Sequence, residues 1–121
     1  MVQAARPGVL ETLQSAQTAT GNGQAYAVPA NVTNHTFYIV SSGIISAGAV
    51  AIETAHDPAY TGTWAPLVNA LATPTTNPVV AVTDSVVIYT YIGVLAAIRA
   101  RISTTVTGGG DVTVYYKGSI Q

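Results

Sequence analysis

The chain has 121 residues, 49% of them hydrophobic, yet only four Lys or Arg, five Asp or Glu, a net charge of −1 and no cysteine. At 12.4 kDa it should fold to about 6,100 Å² of surface, which leaves one charge per roughly 700 Å² where ordinary composition places one per about 200 Å². These numbers exclude disulfide and zinc–thiolate scaffolds and any basic surface for nucleic acid, and they favour a subunit packed against other subunits over a freely diffusing enzyme.

Residues 1–24 mix Gln, Thr, Ala and Ser, end in Gly21-Asn22-Gly23 and hold few large apolar groups. No apolar stretch follows Arg6-Pro7, so no signal peptide is expected. The segment reads as an N-terminal arm outside a domain spanning 25–121, ordered by a neighbouring subunit. Arg6 would anchor it, and Val9, Leu10 and Leu13 would supply its buried area. From Tyr26 onward Val, Ile, Thr and Tyr recur in short runs separated by turn residues, the signature of strands. Residues 36–41 form one run, closed by Ser42-Gly43. Residues 48–55 alternate, with Val50, Ile52 and Thr54 on one face and Ala49, Ala51 and Glu53 on the other. Asp57-Pro58 and Gly62 frame a loop, and 63–68 resume extended structure with Trp64 buried at its start.

Residues 73–78 contain two prolines and read as a loop. Strands over 79–82 and 86–92 follow, parted by Thr83-Asp84-Ser85. The runs 98–103 and 112–117 alternate in period two, and Gly108-Gly109-Gly110 between them predicts a hairpin. Arg99 and Arg101 then share one solvent face. The uncharged stretches 36–52 and 85–98 are too interrupted or too short for a membrane span, so no membrane partner is expected. No internal repeat stands out. Seven or eight short strands predict an all-β fold, a single antiparallel β-sandwich, jelly-roll-like, with an extended N-terminal arm.

Candidate chemistry is sparse. Glu53, His56 and Asp57 form the one cluster of ligand-type side chains, but they fit no metal spacing rule and Asp57-Pro58 is ordinary turn chemistry. His35 and His56 come with no Gly-x-Ser-x-Gly elbow, and most of the acidic residues (Glu11, Glu53, Asp57, Asp84, Asp111) fall in turns or at strand edges. Gly108-Gly109-Gly110 lacks the Lys-Ser/Thr of a phosphate cradle. Asn31-Val32-Thr33 and Asn34-His35-Thr36 match the glycosylation sequon without a secretory signal. No enzyme activity, metal or cofactor is expected. The aromatics Tyr26, Tyr38, Tyr60, Trp64, Tyr89, Tyr91, Tyr115 and Tyr116 suit core or interface better than a sugar-stacking platform. Tyr89, Tyr91 and Tyr115 join Arg6, Val9, Leu10 and Leu13 as the expected interface residues.

Gly48-Ala49-Val50-Ala51-Ile52-Glu53 leads through His56-Asp57-Pro58 to Gly62-Thr63-Trp64-Ala65-Pro66-Leu67. Ile98-Arg99-Ala100-Arg101-Ile102-Ser103 and Gly108-Gly109-Gly110-Asp111-Val112-Thr113-Val114 follow. Over roughly residues 36 to 118 this order resembles small β-sandwich virion proteins of tailed bacteriophages, especially head decoration (cement) proteins. The resemblance implies a structural protein without an active site, made in the host cytoplasm and carried on the outer capsid surface. Its partners would be the major capsid protein, whose neighbouring subunits it staples, and itself as a homodimer or homotrimer. The other role such a fold serves is a virion-borne carbohydrate- or receptor-binding module, or another head or tail accessory protein.

Overall fold

The computed structural model describes residues 3–68 and 77–120, and the described chain is all strand and loop, without a helix. Eleven strands follow in order: β1 (Gln3–Ala4), β2 (Glu11–Gln17), β3 (Gly21–Asn22), β4 (Tyr26–Ala27), β5 (Val32–Ser42), β6 (Ala47–Ala55), β7 (Ala65–Pro66), β8 (Val79–Val80), β9 (Ser85–Ile92), β10 (Ala97–Thr107) and β11 (Asp111–Ile120). Four of them form one sheet in the order β2-β11-β5-β9. The other seven form a second sheet built on the central pair β10 and β6. The period-two pattern sets what lies between the sheets. Val50, Ile52, Ile98, Ala100 and Ile102 come from one side, and Leu13, Phe37, Ile39, Tyr89, Val112, Val114 and Tyr116 from the other.

Three expectations about this architecture are corrected. The sandwich is not uniformly antiparallel, because β1 pairs with β4 in parallel. Nor is it a jelly roll. Residues 98–103 and 112–117 do not form a hairpin: β10 lies in the seven-stranded sheet against β6, and β11 in the four-stranded sheet between β2 and β5. The glycines between them carry the chain across the core gap as an arch. Gly110 N–H donates to the Ile44 carbonyl at 2.9 Å, and Ser46 N–H to the Thr107 carbonyl at 2.7 Å. This arch therefore interlocks with the one that takes β5 across to β6. A Cβ on Gly110 would lie 2.4 Å from the Ser42 carbonyl oxygen, so the contact needs glycine for want of space rather than for a turn type.

A repeat does exist at the level of structure. Gly43-Ile44-Ile45-Ser46 carries β5 to β6, and Gly93-Val94-Leu95-Ala96 carries β9 to β10, with the same pattern of bends at the same spacing. In each, the first aliphatic side chain is exposed and the second is turned inward. The two uncharged stretches considered as spans, 36–52 and 85–98, are thus each broken by an arch between two sheets. Among the described residues no helix is long and apolar enough to cross a membrane.

The third correction concerns residues 1–24. Their described part is not an arm. β2 is an edge strand of the four-stranded sheet, hydrogen-bonded along β11, while β1 and β3 pair within the other sheet. Leu13 is 2% exposed and Ala5 4%, both within the core cluster. A strand needs only its backbone ladder and one well-placed plug to be held, so low apolar content did not keep this segment out of the fold. The proline loop expected over 73–78 lies outside the described residues except for Asn77 and Pro78. Asn77 acts as a substitute strand partner: its amide accepts from Ile52 N–H at 3.1 Å and donates to the Ile52 and Leu67 carbonyls at 2.8 and 2.7 Å.

Candidate docking surface

The four-stranded sheet turns one face to the core, and among the described residues no strand packs over the other. Alternation along β11, β5 and β9 places Thr113, Tyr115 and Lys117, then Val40, Tyr38 and Thr36, then Val86, Ile88 and Thr90 on that outer face. The ladders align them in rows. Thr113, Val40 and Val86 make one row, Tyr115, Tyr38 and Ile88 the next, and Lys117, Thr36 and Thr90 the third. Val86 and Ile88 are more than half exposed, as is Leu10, which reaches over the β11 side of the face. Leu10, Tyr38, Val40, Val86, Tyr115 and Lys117 enclose a shallow groove of about 410 Å³. A second hollow of about 330 Å³ continues it past Val40 and Val86 to Ser42, Asp84 and Ser85. Scattered exposed aliphatics are ordinary, but a contiguous aliphatic and aromatic sheet face marks an interaction surface.

Charge is distributed along this face in one direction. Asp111 begins β11 opposite Ser42, and Lys117 stands opposite Thr36 three rows away. Neither enters an ion pair among the described residues. Asp84, beside the acidic end, accepts from Gly43 N–H at 2.8 Å and so belongs to the turn.

The expected interface residues divide between surface and core. Leu10 and Tyr115 meet in the groove. Arg6 is exposed and bridges Glu11 at 3.5 Å, and Val9 beside it is half-buried. Leu13 and Tyr89 are buried at 2% and 0% exposure, so these two are corrected from interface to interior, and Tyr91 is half-buried against the core. The Tyr89 hydroxyl donates to the Leu67 carbonyl inside the fold. Val40 and Val86 were not singled out from the sequence, and Tyr38 only as one of the aromatics suited to core or interface. Their signal was the run of β-branched and aromatic residues at every second position on neighbouring strands, which becomes a patch only once the strand order is known.

The seven-stranded sheet carries a charged cluster on its outer side. Glu53 on β6 lies opposite Arg99 on β10, and its two carboxylate oxygens accept from Arg99 Nε at 2.9 Å and Arg101 Nε at 3.0 Å. The two arginines therefore share a face as expected, and both hold a carboxylate that is 5% exposed; the Arg99 side chain is largely covered, while that of Arg101 still meets solvent. Arg99 also lies 4.4 Å from the Trp64 ring, and the indole N–H donates to the Tyr60 carbonyl at 2.9 Å, which buries Trp64 at 3% exposure as its position implied. Glu53, His56 and Asp57 do not converge. His56 packs at a tilt against Tyr60, Asp57 caps its own turn through Ala59 N–H, and no group of metal-ligating side chains forms among the described residues.

His35 occupies the core side of β5. Its Nε2–H donates to the Gly93 carbonyl and its Nδ1 accepts from the Tyr116 hydroxyl, both at 2.7 Å. The carbonyl can only accept, so it fixes the neutral tautomer. Burial holds the imidazole pKa below its ordinary value against the opposing pull of the Gly93 carbonyl, and burial raises that of the Tyr116 hydroxyl. Both groups are committed to one another and face no cavity. No protein-family model, no characterised protein and no solved structure matches this chain.

Proposed function

We propose that this chain is a structural subunit of a protein assembly, a virion protein of the head-decoration type that its sequence resembles. In this reading it works by laying an uncharged sheet face on other protein subunits and stapling them. The observation that carries the reading is the outer face of the β2-β11-β5-β9 sheet, where Leu10, Val86 and Ile88 stand exposed beside half-buried Tyr38, Val40 and Tyr115 in a molecule with only nine charged side chains. Such a face loses apolar contact with water when protein covers it, and burial of this kind is worth about 25 cal/mol per Å² before the costs of association. The well-bonded ionisable groups support the same reading. Glu53, Arg99, Arg101 and His35 are bonded to partners within the fold, which leaves them to hold the scaffold rather than to turn over a substrate.

The test is co-sedimentation with heads assembled from the major capsid protein of the phage that carries the gene. Saturable pelleting at a stoichiometry set by the lattice symmetry is expected, together with a rise in the temperature at which the heads fall apart. Absence of pelleting combined with selective retention on immobilised glycans would replace this reading with that of a sugar-binding module using the Tyr38–Tyr115 pair.

A further inference from the structure

We infer that the uncovered sheet face is the seat of a second copy of this chain, docked face to face across a two-fold axis that runs at right angles to the strands. The inference rests on the reading of this face as a protein-covered surface, and it names the first partner.

The argument begins with the direction of charge. On the outer side of β11 the order is Asp111, Thr113, Tyr115, Lys117, so an acidic and a basic group stand at the two ends of an uncharged stretch about 20 Å long. A two-fold axis across the strands keeps each strand over its own copy and reverses its direction. Lys117 of each copy then falls opposite Asp111 of the other, and both contacts form at once. The rows between them exchange in the same way. The row of Thr113, Val40 and Val86 lies over the other copy's row of Tyr115, Tyr38 and Ile88, apolar against apolar. An axis parallel to the strands would instead put both lysines at one end and both aspartates at the other. The first arrangement pairs two charges that enter no ion pair among the described residues of their own chain.

Area is adequate. Four strands about 4.8 Å apart and some eight residues long project about 500 Å², and side-chain relief brings the accessible area towards the roughly 800 Å² that each partner gives to a standard interface. Two sheet faces also pack at about 10 Å with twist-matched strands as a matter of course. The tyrosine pair Tyr38 and Tyr115, directly opposite one another in the ladder, supplies the kind of rigid aromatic centre that dominates such contacts.

The experiment is sedimentation equilibrium of the full chain and of charge-exchanged variants, each checked for an unchanged far-UV spectrum. The wild type should dimerise with a dissociation constant of about micromolar order. Asp111→Lys and Lys117→Asp, alone, each place like charges at both symmetric contacts and should weaken the dimer tenfold or more. The double exchange restores opposite charges in reverse order and should recover most of that loss. Tyr38→Glu, in the middle of the face, should give a monomer. A wild type that stays monomeric at roughly 100 µM overturns the inference. So does a double exchange no tighter than the single variants. A monomeric wild type that still pellets with capsids would sink the dimer and spare the assembly role, whereas a dimer that behaves as described and never meets a capsid would do the reverse.

Discussion

His35 shows how a single side chain ties the scaffold together and gives it a pH dependence. It joins β5 to the second arch through Gly93 and to β11 through Tyr116, and it is 1% exposed. In the unfolded chain an imidazole takes up a proton near pH 6.5, while in the folded chain burial holds its pKa lower. Between those two values the unfolded state binds the extra proton, so stability falls as pH drops from about 6.5 towards the folded-state pKa. Urea midpoints at pH 7.5 and pH 5 should show this loss. In His35→Leu the slope over that window should be reduced by the histidine's share, while stability at pH 7.5 drops by about 2–4 kcal/mol because the Gly93 carbonyl and Tyr116 hydroxyl lose their partner. A variant with an unchanged slope would show that the pH response does not come from His35.

At the scale of elements, the interlocked arches are the feature that specifies this fold. The alternation of Val112, Val114 and Tyr116 fixed which side chains of β11 face inward, and the same holds for Ile98, Ala100 and Ile102 on β10. It carried no information on whether the glycines between them fold the chain back in the plane of one sheet or lift it across to the other, since both preserve the alternation. The neighbour of each strand was therefore illegible, and with it the outer-face patch, which is a property of strand order. Gly109 and Gly110 separate the two roles a glycine can play. Gly109 has a φ of 106° and open space around its Cβ position, so Gly109→Ala should cost about 1–2 kcal/mol of backbone strain. Gly110→Ala drives a methyl group against the Ser42 carbonyl and Gly43 and should cost more, by thermal or urea denaturation. Equal costs would mean that the arches are free to separate.

For the whole molecule, the segment expected to be an arm is the plainest case of structure outrunning composition. Nothing in the composition of residues 1–24 sets Leu13 apart from Val9 and Leu10, yet that leucine fills the space between the sheets and β2 covers the β11 edge. Leu13→Ala should cost about 3–5 kcal/mol, a large part of the 5–15 kcal/mol that holds a domain of this size. Deleting residues 1–20 should abolish the cooperative thermal transition. A truncated chain that melts like the parent would return this segment to the role of a free arm. The all-β class, the buried Trp64 and the shared face of Arg99 and Arg101 were legible because each follows from local pattern. The Glu53 clamp on those arginines was not, because it depends on β6 and β10 being neighbours 46 residues apart.

The pairing map has a consequence for time as well as shape. The long strands find their partners far along the chain: β5 with β11, β2 with β11, β6 with β10, and β5 with β9. No two of the long strands that follow one another in the chain share a ladder, so nothing sizeable can zip up from a local turn. Most of the backbone must be synthesised, and large loops closed, before the first extensive ladder is rewarded. Folding is then expected in the slow range for small domains, milliseconds to seconds, with aliphatic strands meanwhile exposed to other chains. The hazard of this topology lies in the interval before the two sheets close.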